Sequence, residues 1–194
     1  MATFTPNYNL RKPADTDFVD EDTDLNDNWD IVDTQLKTNA DAIPTVLRKI
    51  KTANTDKTAD VALAADPHLF VPVAANSIYL LFGWFVYSGA AAPAGGIQFD
   101  WTGPAGFSMR WSSNGVNGHG GVGALTDNDV VVITASDIRN HGTNLGTKMS
   151  MHPMGVVRTV GTAGTLALRW AQATSNATAT SLEIDSFIRV EKYS

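Results

Sequence analysis

The 194-residue chain contains no cysteine. Disulfide staples, thiolate zinc sites and cysteine nucleophiles are therefore excluded, and the redox compartment is left open. Charge is also scarce, at 18% Asp, Glu, Lys and Arg, against about 25% in an ordinary globular chain. A chain that commits so little surface to charge has surface to lose against partners. No apolar run approaches the roughly 18 residues that suggest a membrane span. Residues from Met1 to Asn9 hold no basic stretch followed by an apolar core, so no secretory leader is expected. Basic patches are missing too. The net charge is −6, and ten of the twenty acids fall between Asp15 and Asp41, while the chain from Lys51 onward carries ten acids against nine bases. Neither part offers the cationic cluster that neutralises phosphates, which argues against a nucleic-acid partner.

What is present divides at about residue 45. Residues 1–19 carry Pro6 and Pro13 and show no periodicity. They also carry Phe4, Tyr8, Leu10 and Phe18, large apolar side chains that a free tail rarely holds. The expectation is an extended arm that orders on a partner. In residues 20–43 the apolar positions become regular: Leu25, Trp29, Val32 and Leu36, then Asn39 and Ile43. The steps alternate between four and three, which is a heptad seam with one polar member. Asp20, Glu21, Asp22 and Asp24 crowd the start, where the helix dipole favours negative charge. Asp22 or Thr23 can cap it, and Pro44 stops it. A helix of about 20 residues is marginal alone in water. It can pack on its own domain or on sister copies, and Asn39 in the seam favours the second, since seam Asn residues pair and fix register.

From residue 46 to 194 the pattern is strand-like, with turn signals at Asp66-Pro67, Gly103-Pro104, Asn114-Gly115 and Ser175-Asn176 among others. Strands are expected near 47–53, 57–63, 68–73, 77–88, 96–101, 106–112, 129–136, 147–160, 164–172 and 181–192. The fold class is mainly β, a jelly-roll-like antiparallel β-sandwich preceded by an extended arm and one short α-helix. One strand is unusual. Ile78, Leu80, Phe82, Trp84 and Val86 share one face, and Tyr79, Leu81, Gly83, Phe85 and Tyr87 share the other. An antiparallel strand with one wet face should alternate apolar and polar. Here one face is expected to fill the core and the other to meet a neighbouring subunit. Tyr79, Leu81, Phe85 and Tyr87 are assigned to that interface, together with the helix seam. The strands around Leu166, Leu168 and Trp170, and around Leu182, Ile184, Ile188 and Val190, read as half-exposed.

The segments NYNLRKPADTDFVD and DLNDNWDIVDTQL, then DPHLFVPVAANSIYLLFGWFVYSG, FDWTGPAGFSMRW and the closing GTLALRWAQATSNATATSLEIDSFIRVEKY, together resemble small tail or fibre-like structural proteins of phages that infect actinobacteria. The resemblance implies a trimeric virion component with a jelly-roll-like head and no catalytic residues. Its partners would be sister copies, other virion proteins through the arm, and a host cell-surface glycan. A capsid decoration protein or head fibre is the alternative placement. A carbohydrate-binding or polysaccharide-degrading module is the alternative class.

Motifs that suggest chemistry fare poorly. Gly118 to Gly123 matches GxGxxG, but a strand-like run follows where a dinucleotide site needs a helix. Asp20, Asp22 and Asp24 begin like a calcium loop, yet Leu25 replaces the turn glycine and Ile31 the final glutamate. His68, His119, His141 and His152 have no metal spacing, although a threefold axis would gather three copies of His152. Asp100, Asp127, Asp129, Asp137 and Asp185 form no evident carboxylate pair. Trp101, Trp111 and Tyr87 can stack on sugars, but strand-end aromatics are more often core. No cofactor, metal or enzymatic activity is expected.

Overall fold

A computed structural model describes residues 3–4, 11–12, 25–91, 94–115 and 133–193. The chain forms two compact units, Met1–Pro44 and Thr45–Ser194.

The first unit holds a two-residue ribbon, β1 (Thr3–Phe4) paired antiparallel with β2 (Arg11–Lys12), and one helix, α1 (Asn26–Ala42). Leu25 occupies the N-cap without a side-chain hydrogen bond, and Asp27 lies in the first turn. The expected caps, Asp22 and Thr23, lie outside the described residues. The backbone turns extended at Ile43, ahead of Pro44. Lys37 pairs with Asp41 one turn on, at 2.9 Å, and Gln35 donates to Asn39 Oδ1 at 2.9 Å. Both contacts are solvent-facing and contribute a few tenths of a kcal/mol.

The second unit is a β-sandwich. Its strands are β3 (Val46–Ile50), β4 (Thr55–Lys57), β5 (Ala64–Val73), β6 (Ile78–Ser88), β7 (Ile97–Thr102), β8 (Ser108–Asn114), β9 (Ile133–Thr134), β10 (Arg139–His141), β11 (Met149–Arg158), β12 (Gly164–Gln172), β13 (Thr180–Leu182) and β14 (Phe187–Lys192). One sheet runs β10-β7-β12-β5 and the other β3-β14-β6-β11-β8-β9, with β13 bridging β4 and β6. Taking β3, β5, β6, β7, β10, β11, β12 and β14 as first to eighth exposes the logic. First pairs with eighth, second with seventh, third with sixth and fourth with fifth. That is one long antiparallel ribbon rolled on itself, a jelly roll. The β8–β9 hairpin extends the larger sheet.

The core lies between the sheets. The small sheet contributes Leu69, Val71, Ile97, Phe99, Trp101, Leu166, Leu168 and Trp170; the large sheet contributes Tyr79, Leu81, Phe85, Tyr87, Met109, Trp111, Met151, Val157, Ile188 and Val190. Aromatic edges and faces interlock, with Trp101 and Trp111 edge-on at 6.2 Å and Phe85 edge-on to Phe99 at 6.2 Å. Gly83 has no side chain because a Cβ there would lie 2.7 Å from the Pro153 ring across the sheet.

Two differences from the sequence expectation have local causes. The region 57–63 is strand only to Lys57. Its remainder is pinned by Gln172, whose Oε1 accepts the Asp60 N–H at 3.1 Å. The expected strand 181–192 is two strands, β13 and β14, both running along β6. Between them Asp185 takes a left-handed conformation (φ 69°), which Asp tolerates, and the alternation slips. Glu183 is thereby turned in and Ile184 out.

A fully buried ion pair anchors the sandwich end. Lys51 Nζ meets Asp66 Oδ2 at 2.7 Å, with neither side chain exposed. Lys51 also donates to Thr55 Oγ1, and Asp66 accepts from Trp170 Nε1 and from the backbone N–H of His68 and Leu69. Every lone pair that burial strips of water is answered. Asp66→Ala leaves the buried Lys51 amine with Thr55 Oγ1 but no counter-charge; it should lower stability to urea by about 3–5 kcal/mol, and adding Lys51→Met should recover part of that loss.

Burial pushes the Glu183 carboxyl up, but hydrogen bonds from Ser88 and Lys148 outweigh it and hold the group below its ordinary 4.5. A carboxylate depressed on folding stabilises above its unfolded value and loses that contribution as pH falls through the folded value. Glu183→Gln should therefore flatten the decline of melting temperature below about pH 4.5, measured by circular dichroism across pH.

Candidate functional site

The outward face of the large sheet is built by cross-strand register. Phe187 stands opposite Ile50 on one side and Trp84 on the other. His152 stacks on Trp84, with ring centroids 4.5 Å apart and planes at 30°, and faces Asn114 beyond. A second row reads Arg48, Arg189, Phe82, Met154 and Ser112; a third reads Val46, Glu191, Leu80, Val156 and Arg110. At about 4.8 Å between strands, each row of five spans roughly 19 Å. The centre, on β6 and β11, is apolar. Trp84 is 41% exposed, Phe82 37% and Met154 49%. Around Leu80, Phe82, Met154, Gly155 and Val156 the face is dented by a hollow of about 390 Å³.

Arginines form the rim. Arg48 and Arg189 lie directly opposite one another, a repulsive arrangement, which Glu191 relieves by accepting from Arg189 at 2.8 Å. Edge strand β3 carries Arg48 and Lys49 together, and charge on an edge discourages further strand pairing.

This geometry corrects the sequence assignment. Tyr79, Leu81, Phe85 and Tyr87 are at most 2% exposed and fill the core of a single chain. They cannot line a contact between copies. The tyrosine hydroxyls suggest a wetter surrounding than they have. Tyr79 Oη accepts the Ala74 N–H at 2.7 Å, whereas Tyr87 Oη is buried without a partner, and burial pushes its phenol upward. The opposite face of β6 is the exposed one, and Ile50, Met154 and Phe187 beside it went unassigned. The signal for them was the apolar residue at Phe187, out of step with its strand.

In α1 the seam lies open in the single chain. Trp29 is 69% exposed and Leu36 62%; Leu25, Asn39 and Ile43 are exposed, and Val32 is half-buried. Of the arm residues, Phe4 belongs to β1, while Tyr8, Leu10 and Phe18 lie outside the described residues, as does the GxGxxG match at 118–123. The candidate sugar-stacking residues Trp101, Trp111 and Tyr87 are core. Ser113 Oγ lies 2.9 Å from His141 Nε2, but both are buried and the imidazole stacks on Phe99. A nucleophile there has no route to substrate. Among the described residues no cluster of three or more His, Asp or Glu gathers as metal ligands, and no helix is long and apolar enough to cross a membrane.

No known family matches the chain, and no curated protein matches it. Among solved structures, it is similar to chains of infectious bursal disease virus, Gt strain (10% identity, TM-score 0.26, 78% of this chain and 38% of that one) and Gx strain (10% identity, TM-score 0.25, 77% and 39%). The chain thus spans well under half the length of those it aligns with. Similarity this slight supports no conclusion about this protein.

Adjacent residues on β6 give a direct check of the corrected faces. Leu81→Lys buries an unpaired charge and should abolish cooperative thermal unfolding, whereas Phe82→Lys should leave cooperative unfolding and the far-ultraviolet spectrum intact.

Proposed function

We propose that the protein is a non-catalytic virion structural component that assembles as a homotrimer. The single observation that carries assembly is the apolar centre of the large sheet's outward face, continuous across β14, β6 and β11 and flanked by Arg48 and Arg189 on one side and Arg110 on the other. Large apolar side chains clustered at the centre of a polar rim are the anatomy of an interface. A second copy would remove Phe82, Trp84 and Met154 from water at about 25 cal/mol per Å². The open seam of α1, with Leu25, Trp29, Val32, Leu36, Asn39 and Ile43, supports the same reading, since three such helices bury one another's seams. Three copies, rather than two, follow from the sequence resemblance to phage tail and fibre-like proteins.

The virion placement rests on that same resemblance, because a jelly roll by itself assigns no function. A tail or fibre component contacting the host is the reading, with the arm at 1–19 docking on other virion proteins; a capsid decoration protein or head fibre is the finer alternative. Copy number per particle separates them. Threefold display would multiply weak contacts to a repetitive host surface glycan.

Light scattering on the purified chain should give the mass of three copies. Trp84→Asp should raise the dissociation constant at least tenfold, a loss of about 1.4 kcal/mol or more, and Leu36→Asp should weaken association by a comparable factor. A monomer at micromolar concentration would refute the proposal.

A further inference from the structure

At the β8–β9 end of the sandwich, a cleft of about 790 Å³ opens between Arg110, Arg158 and Arg169. Its volume is that of a small-ligand site. Phe107 supplies an aromatic wall, and Thr102, Ser108, Thr134 and Ser136 supply hydroxyls. The charges are unbalanced. Arg169 is answered by Asp100, whose carboxylate takes two hydrogen bonds from the guanidinium, one of them from Nε at 2.9 Å. Asp137, next in the chain to the cleft-lining Ser136, takes the backbone N–H and hydroxyl of Thr134 on Oδ2, at 2.7 and 2.9 Å. Arg110 and Arg158 have no carboxylate partner among the described residues. The register sets Arg110 opposite Val156 and Arg158 opposite Ser108. The two are diagonal neighbours on one sheet face, with about 7–8 Å between them.

Guanidiniums rooted on neighbouring strands this close repel where they approach, and the described residues place no acid between them. The Thr134 carbonyl on the cleft wall is already taken by the Trp111 indole N–H at 2.8 Å, so what the cleft leaves unanswered is the positive charge on its rim.

We infer that the cleft binds an anionic saccharide: one or two sugar units bearing a carboxylate or a phosphate. The anion is held in the fork between Arg110 and Arg158, since guanidinium matches both groups with paired hydrogen bonds. Ring hydroxyls meet Ser108 and Ser136, and the apolar face of a sugar ring lies on Phe107. The residues come from one chain, so the inference does not depend on the number of copies in the assembly.

Calorimetric titration of the full chain at low salt tests it, with D-glucuronate, D-glucose 6-phosphate, inorganic phosphate and neutral D-glucose as probes. At least one charged sugar should bind ten or more times as tightly as glucose. Glucuronate ahead of glucose 6-phosphate identifies a uronate as the natural group, and the reverse order a sugar phosphate. Arg110→Gln with Arg158→Gln should lower that affinity tenfold or more, and Arg48→Gln, on the same sheet outside the cleft, should leave it unchanged. Both variants alter exposed side chains, and an unchanged melting temperature confirms the fold. Charged and neutral sugars binding alike, inorganic phosphate binding as tightly as the better sugar, or a double variant that binds like the parent would each overturn the inference. Because assembly is read separately from mass, a failed titration leaves the trimer untouched.

Discussion

A sheet has two faces, and a sandwich fills only one of them. The remainder of this protein follows from that constraint acting on β6. Its eleven residues carry apolar side chains on both sides. Partner strands β14 and β11 inherit the consequence, because register places Phe187 and Met154 beside Trp84 and Phe82 whatever those side chains prefer. The inner face closes against the small sheet with interlocked tryptophans and phenylalanines. The outer face has no second sheet over it among the described residues, and polar side chains, Arg48, Arg189 and Arg110 among them, stand at its margins.

Polar groups define the ends of this apolar arrangement. At one end Lys51 and Asp66 form a sealed pair whose hydrogen bonds reach β4, β5 and β12. Gln172 is wholly buried and ties residues 60, 176 and 178 to the end of β12. Such groups add little net energy, since desolvation offsets most of the attraction. They do make misregistration costly, because any slip strands a charge or an amide. At the other end, Arg110 and Arg158 behave oppositely: among the described residues neither has a carboxylate partner.

Much of this was legible from residue order. The sandwich class, the jelly-roll character and most strand positions follow from turn residues and period-two alternation, and the helix from its four-three steps. The choice of face on β6 was not legible. Tyr79 and Tyr87 look like the wetter side, and nothing local shows that Tyr79 Oη finds a backbone donor at Ala74 or that Gly83 makes room for Pro153. The first depends on how the chain turns between β5 and β6, the second on a strand some seventy residues away. The break at Asp185 was equally hidden, since a single left-handed residue reverses the facing of Glu183 and Ile184 without disturbing composition. The arginine cleft was invisible for the same reason: Arg110, Arg158 and Arg169 lie on three strands with no shared motif.

Strand β14 lies between β3 and β6, so the earliest and the third strands of the roll are joined only through the last. During synthesis the sheet has an empty slot until residues 187–192 leave the ribosome. Both flanking strands meanwhile present bare backbone donors and acceptors. Completion depends on contacts separated by more than a hundred residues, which makes for folding on the slow end of the single-domain range. Nascent chains on one message are neighbours during that wait, and a strand donated from one to the next would fill the slot equally well. The sandwich of each copy is closed by its own last strand, and β14 is the segment on which completion of the large sheet waits.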